Sequence, residues 1–192
     1  MEYKIDCSRE SGAVYYQDIG IGLYYPFRYV VERDSEMLSS LVTSDFEGGV
    51  ISCHGQILKF KFTGKFFTPH ERADFITSEG VVFCSMTNSV EGFWSPERKF
   101  TIDFSDEFPQ LQLKRMPNEI RQGRSTYSIF GLFDGGLEVA RVLFYRKYRR
   151  LFANFNCDKY GMFESKNGFN ELHVACILAL VHISDYLESF AD

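Results

Sequence analysis

The sequence has no apolar run long enough to cross a membrane. Its longest strongly apolar stretch, Val174 to Val181, falls far short of the ~20 residues a spanning helix needs. It also lacks a surplus of cations: 21 Lys and Arg stand against 26 Asp and Glu, a formal net charge of −5. Phosphate neutralisation needs the opposite balance, so no nucleic-acid partner is expected. Paired cysteines are missing too. Cys7, Cys53, Cys84, Cys157 and Cys176 are odd in number, and none lie at a metal-type spacing. That spacing suggests neither a disulfide framework nor a zinc site. The first residues lack the basic and apolar regions of a signal peptide. The expected compartment is therefore the cytoplasm, with access to a membrane surface or the nucleus. No complete catalytic motif occurs, so neither an enzyme nor a cofactor is expected. Gly20-Ile21-Gly22 lacks the following glycine of a dinucleotide loop.

Aromatic residues are abundant: 20 Phe, 11 Tyr and one Trp in 192 residues. That is enough to fill a sizeable core, and the length suits one domain spanning residues 1–192. The first 25 or so residues are rich in Tyr and Gly and read as a flexible arm or an irregular strand wrapping the body. Glu32 to Leu41 reads as a short helix, or as a loop followed by a strand.

From Leu41 onward, short apolar runs alternate with polar residues and are cut by turn residues. Leu58, Phe60 and Phe62 fall on one side of a strand, with Ile57, Lys59 and Lys61 on the other. Phe100, Ile102 and Phe104 repeat the pattern against Lys99, Thr101 and Asp103. Alternation at period two means one buried face and one wet face. Many such strands predict an antiparallel barrel or sandwich.

The C-terminal segment breaks the rhythm. Asn170 is placed to cap a helix beginning at Glu171. At about 100° per residue, Val174 through Val181 covers every side of that helix. A helix apolar all round must be surrounded, and the only surroundings are the strands. The expected architecture is a closed antiparallel β-barrel of about 12 strands enclosing a hydrophobic C-terminal helix, over roughly residues 170–190. Asp185, Glu188 and Asp192 are expected where the helix re-emerges into water.

This pattern resembles the tubby-like barrel superfamily. It is closest to the LURP-one-related proteins and more distantly similar to phospholipid scramblases. Three stretches carry the resemblance: Gly49-Val50-Ile51 through Phe62; Leu137 to Val142 with Arg146-Lys147; and Phe163 through Leu187. Residues 1–40 match poorly. The resemblance implies the barrel and its central helix. It also implies binding of membrane phosphoinositides through basic residues on the barrel wall, with stress or defence signalling as the plant relatives' setting. Scattered cysteines and the lack of a further hydrophobic segment depart from the scramblases, so lipid flipping does not follow from the fold.

The candidate head-group residues are Arg141, Arg146, Lys147, Arg149 and Arg150, interleaved with aromatics, and the row Lys59 and Lys61. Guanidinium forks and ammonium groups suit a phosphorylated head group. A strand splits Arg146 and Lys147 between its two faces. The opposing reading is a solvated strand whose cations pair with nearby carboxylates. The expected partner is an anionic phospholipid or another protein. His182, within the apolar run, reads as a hydrogen-bonded core histidine. His173 is half a turn out of register with it, so the two share no metal. Asp103 with Asp106 and Glu107 reads as an acidic turn, and Phe93-Trp94 as a barrel-end plug or an exposed anchor.

Overall fold

The computed structural model describes residues 1–10, 12–16, 21–44, 47–65, 68–90, 98–105, 108–116, 120–122, 125–148, 157–166 and 168–188. Its strands are β1 (Glu2–Arg9), β2 (Ala13–Tyr16), β3 (Ile21–Tyr24), β4 (Phe27–Arg33), β5 (Glu36–Ser44), β6 (Gly48–Cys53), β7 (Gln56–Lys61), β8 (Thr63–Lys65), β9 (Thr68–Thr77), β10 (Val82–Val90), β11 (Arg98–Phe104), β12 (Leu111–Arg115), β13 (Ile120–Gln122), β14 (Ser125–Asp134), β15 (Leu137–Tyr148) and β16 (Cys157–Ser165). One helix follows, α1 (Glu171–Glu188).

Antiparallel pairing runs β10-β11-β12-β14-β15-β16-β1-β4-β5-β6-β7-β9, and β9 pairs back onto β10. The sheet is thus a closed, twelve-stranded barrel. β8 pairs beside β9, and β13 beside β14, outside this ring. Closure removes the free sheet edges that would otherwise invite aggregation.

Alternation decides what faces inward. On β7, Leu58 and Phe60 are buried while Ile57 and Lys61 are exposed. On β11, Phe100, Ile102 and Phe104 are buried while Lys99 and Asp103 are exposed. Glycines mark close approaches. A Cβ on Gly49 would sit 2.5 Å from the Val42 carbonyl oxygen and 2.7 Å from the Phe60 ring.

About eight strands enclose a space that side chains fill, whereas twelve leave room for a helix ~10 Å across. Helix α1 occupies that space. Asn170 caps it: its Oδ1 accepts the N–H groups of Leu172 at 3.0 Å and His173 at 2.9 Å. Residues 172–185 are buried without a break. The helix packs against β4, β5 and β6 on one side and β11 across the barrel. Each fully buried Leu, Ile or Val there contributes roughly 1.5–3 kcal/mol.

Three expectations need correction or narrowing. Glu32 to Leu41 is not a helix but follows the other alternative, a connection and then a strand: β4 and β5 form a hairpin whose turn residues, Asp34 and Ser35, both have positive φ (54° and 67°). Two successive left-handed residues match the twist of a tight hairpin, a role in which Asn-Gly is the commoner pair. The N-terminal residues are not an arm throughout. β1 is a barrel strand between β16 and β4, burying Tyr3 and Ile5. Asp185 does not mark re-emergence into water, because it is buried.

The wrapping expectation holds for the next segment. β2 and β3 form a separate hairpin lying as a strap over the outer wall of β5 and β6. Val42 and Val50 occupy outward positions, directly paired across the two strands, yet both are buried. Leu23 of the strap is fully buried with them. The Tyr24 N–H donates to Glu47 Oε2 at 3.2 Å, and the Tyr25 N–H to the Gly12 carbonyl at 2.7 Å.

Candidate functional site

The interior polar groups are structural in their geometry. The Tyr29 hydroxyl lies 2.6 Å from His182 Nδ1, both buried, and the Phe27 ring packs against the same imidazole. His173 sits among Phe83, Phe104, Phe108 and Phe169, and its Nδ1 accepts the Asn170 N–H at 3.3 Å. The two histidines therefore face different walls, as their spacing predicts. Burial pushes the Cys176 thiol well up, and a hydrogen bond with Cys84 adds to this. A thiol held protonated in a closed core is a poor nucleophile.

The candidate cations are on the wall, but they are not one site. β15 and β7 lie on opposite sides of the ring, so Lys59 and Lys61 face away from Arg141. Within β15, Arg141 and Lys147 share one parity, with Leu143 and Tyr145. Arg146 has the other parity, with the buried Val142 and Phe144. At about 3.3 Å per residue, Arg141 and Lys147 stand roughly 20 Å apart along the strand, too far for one phosphate. Arg149 and Arg150 lie outside the described residues, as do Phe93, Trp94, Asp106 and Glu107.

Arg141 already has a partner. Its Nε donates to Glu138 Oε1 at 2.7 Å, and that hydrogen bond holds the Glu138 carboxyl below its usual range. A surface cleft of about 570 Å³ opens beside it, lined in part by Glu2, Glu138, Arg141, Glu164 and Lys166. Acids and bases alternate there, so the cleft offers no surplus of positive charge. Lys59 and Lys61 differ: neither makes an ion pair with a described residue.

A larger arrangement emerges from the strand directions. Call the end where α1 begins the upper end. The turns at 34–35, 78–80 and 135–136 all fall there, and so do Glu2, Glu32, Asp34, Glu36, Glu79, Asp134, Glu138, Glu164 and Glu171. Lys4, which pairs with Glu32 at 3.7 Å, Arg33, Arg141 and Lys166 are the basic side chains near them among the described residues. The lower halves of the strands carry Arg9, Arg28, Lys61, Lys99, Lys114 and Arg115, with Arg121, Arg146, Lys147 and Lys159 placed there by strand position. Glu10, Glu47, Glu71 and Asp158, with Asp185 and Glu188 in the last turns of α1, are fewer than these ten. Arg121, Thr126, Arg146 and Lys159 form one row across β13, β14, β15 and β16, at positions that share the parity of the buried Phe130, Phe144 and Phe163 rather than that of the outer wall. Among the described residues, the lower end thus carries more basic than acidic positions.

The strap adds residues that charge reasoning missed. Tyr15, Tyr24 and Tyr25 are 64%, 66% and 57% exposed at the lower end. Their signal was the doubled tyrosines, Tyr15-Tyr16 and Tyr24-Tyr25, but only the hairpin shows which members face out.

The fold defines a class: an antiparallel twelve-stranded barrel filled by its own C-terminal helix. No family model, no curated protein and no solved structure matches the chain. Among the described residues no helix is long and apolar enough to cross a membrane.

Proposed function

We propose that this chain is a non-enzymatic binding module of the tubby-like barrel superfamily, nearest the LURP-one-related branch. In this reading it tethers to anionic, phosphoinositide-bearing membrane surfaces through the basic end of the barrel. The observation that carries the reading is the separation of charge along the barrel axis among the described residues. A chain of net charge −5 is repelled by an anionic leaflet unless its cations are gathered on one end. Each cation near the leaflet contributes about 1 kcal/mol, so three or four give weak, reversible attachment. The filled interior leaves binding to the outer wall and the ends.

The test is cosedimentation with phosphatidylcholine vesicles, with and without phosphatidylinositol bisphosphate, at low and high salt. The parent chain should pellet only with the anionic vesicles and be released by salt. Arg146→Glu with Lys147→Glu should abolish pelleting. A parent that stays in the supernatant at low salt ends this reading.

A second reading, a protein–protein scaffold, is favoured by exposed Met37, Val81 and Leu137 at the upper-end turns. An interface built on such side chains resists salt, which separates the two.

A further inference from the structure

We infer that the outer face of the β2–β3 strap is the part of the basic end that enters the headgroup layer of an anionic bilayer, with Tyr15, Tyr24 and Tyr25 as interfacial rings and Lys61 as the adjacent charge. The inference rests on the membrane reading above and assigns its contact face.

The strap has two unlike faces. Leu23 points into the wall and is fully buried, while Val14 and Tyr16 are half-buried. The opposite face carries Tyr15 and Tyr24. Ala13 pairs with Tyr24 and Tyr15 with Gly22, so the two tyrosines are diagonal neighbours across the hairpin. Diagonal pairs stand roughly 7–8 Å apart, so the rings make one patch. A strap needing only to cover Val42 and Val50 would carry small polar residues on that face.

Tyr25 sharpens the point. Its φ is 47°, a left-handed conformation that is a genuine outlier for a bulky residue. Glycine adopts it without steric cost. Yet the strained position holds a tyrosine that is 57% exposed and so recovers little packing. Strain retained without a packing return marks a side chain kept for something outside the fold.

Charge selects the occupant. Lys61 is exposed and pairs across the ladder with Gly48, next to Glu47. Glu47 is engaged by the Tyr24 N–H and hydrogen-bonds Ser44, and Glu10 is held by Arg28 at 2.8 Å. The described carboxylates nearby are thus engaged, and Lys61 forms no ion pair with a described residue. Exposed tyrosines beside uncommitted cations are the chemistry of a membrane interface: amphipathic rings sit at headgroup depth while cations meet the phosphates.

The test is partitioning of the full chain onto phosphatidylcholine vesicles containing phosphatidylserine, across a salt series. Replacing Tyr15, Tyr24 and Tyr25 together by serine should lower partitioning several-fold at every salt, leaving its salt dependence unchanged. Lys61→Glu should instead flatten the salt dependence. Tyr25→Gly alone relieves strain, so it should raise the melting temperature while weakening partitioning. A tyrosine-free strap that partitions like the parent overturns the face assignment and leaves the membrane reading standing. A parent that at low salt partitions neither onto these vesicles nor onto vesicles containing phosphatidylinositol bisphosphate removes both.

Discussion

Helix α1 is buried on every face, whereas the β2–β3 strap is buried on one. Both cover apolar surface of the same barrel, one from inside and one from outside. Every position of the helix interior is therefore fixed by packing, and its sequence speaks of stability. The strap divides its positions between Leu23, which packs, and Tyr15 and Tyr24, which do not. Selection for binding can act only on the second set, so function is better sought on the strap than along the barrel's axis.

Substitutions separate the two cores. Leu178 has no exposed surface at the middle of α1, so Leu178→Ala should cost about 2–5 kcal/mol of global stability, read by denaturant unfolding. A loss under 1 kcal/mol would mean the interior is loosely filled. Leu23→Ala should cost less and act locally. Its signature is faster amide exchange in β2 and β3 with α1 protection unchanged. If exchange rises equally in both, the strap is an integral part of the barrel rather than a cover upon it.

The same contrast explains what the sequence made legible. The inner core was readable because each strand must alternate and the helix must not. Phe60, Ile102 and Val174 announce their burial by their neighbours alone. The strap's core was not readable, because Val42 and Val50 stand at positions that the alternation of β5 and β6 assigns to water. Only a third element arriving from elsewhere in the chain buries them. The β4–β5 hairpin was hidden for a different reason: Asp34-Ser35 adopts positive φ without the glycine that usually signals it. β1 was legible in principle, since Tyr3, Ile5 and Cys7 alternate with charges, but the tyrosine-rich residues after it masked the pattern. For the site, the sequence shows which residues are cationic, while ring order decides which of them meet. Lys59 and Arg141 are equivalent in a linear reading and sit across the barrel from one another.

The smallest effect tests the wall at the upper end, where the Glu138–Arg141 pair is half exposed. An exposed pair contributes at most about 1 kcal/mol. Because the folded protein holds the Glu138 carboxyl below its usual range, the pair's contribution is present above the unfolded-state value. It is lost as pH falls through the folded one. Glu138→Gln should therefore lower stability slightly at neutral pH and converge with the parent under acid, as followed by thermal melts. The same variant sharpens the assignment of the two ends. It removes one of the two carboxylates beside Arg141, leaving Glu164 across the ladder, so a vesicle-binding site built around Arg141 would strengthen. A site at the basic end, some 20 Å along the strand by its rise of about 3.3 Å per residue, would not notice. Unchanged partitioning of Glu138→Gln, alongside the loss in Lys61→Glu, places binding at the lower end of the barrel.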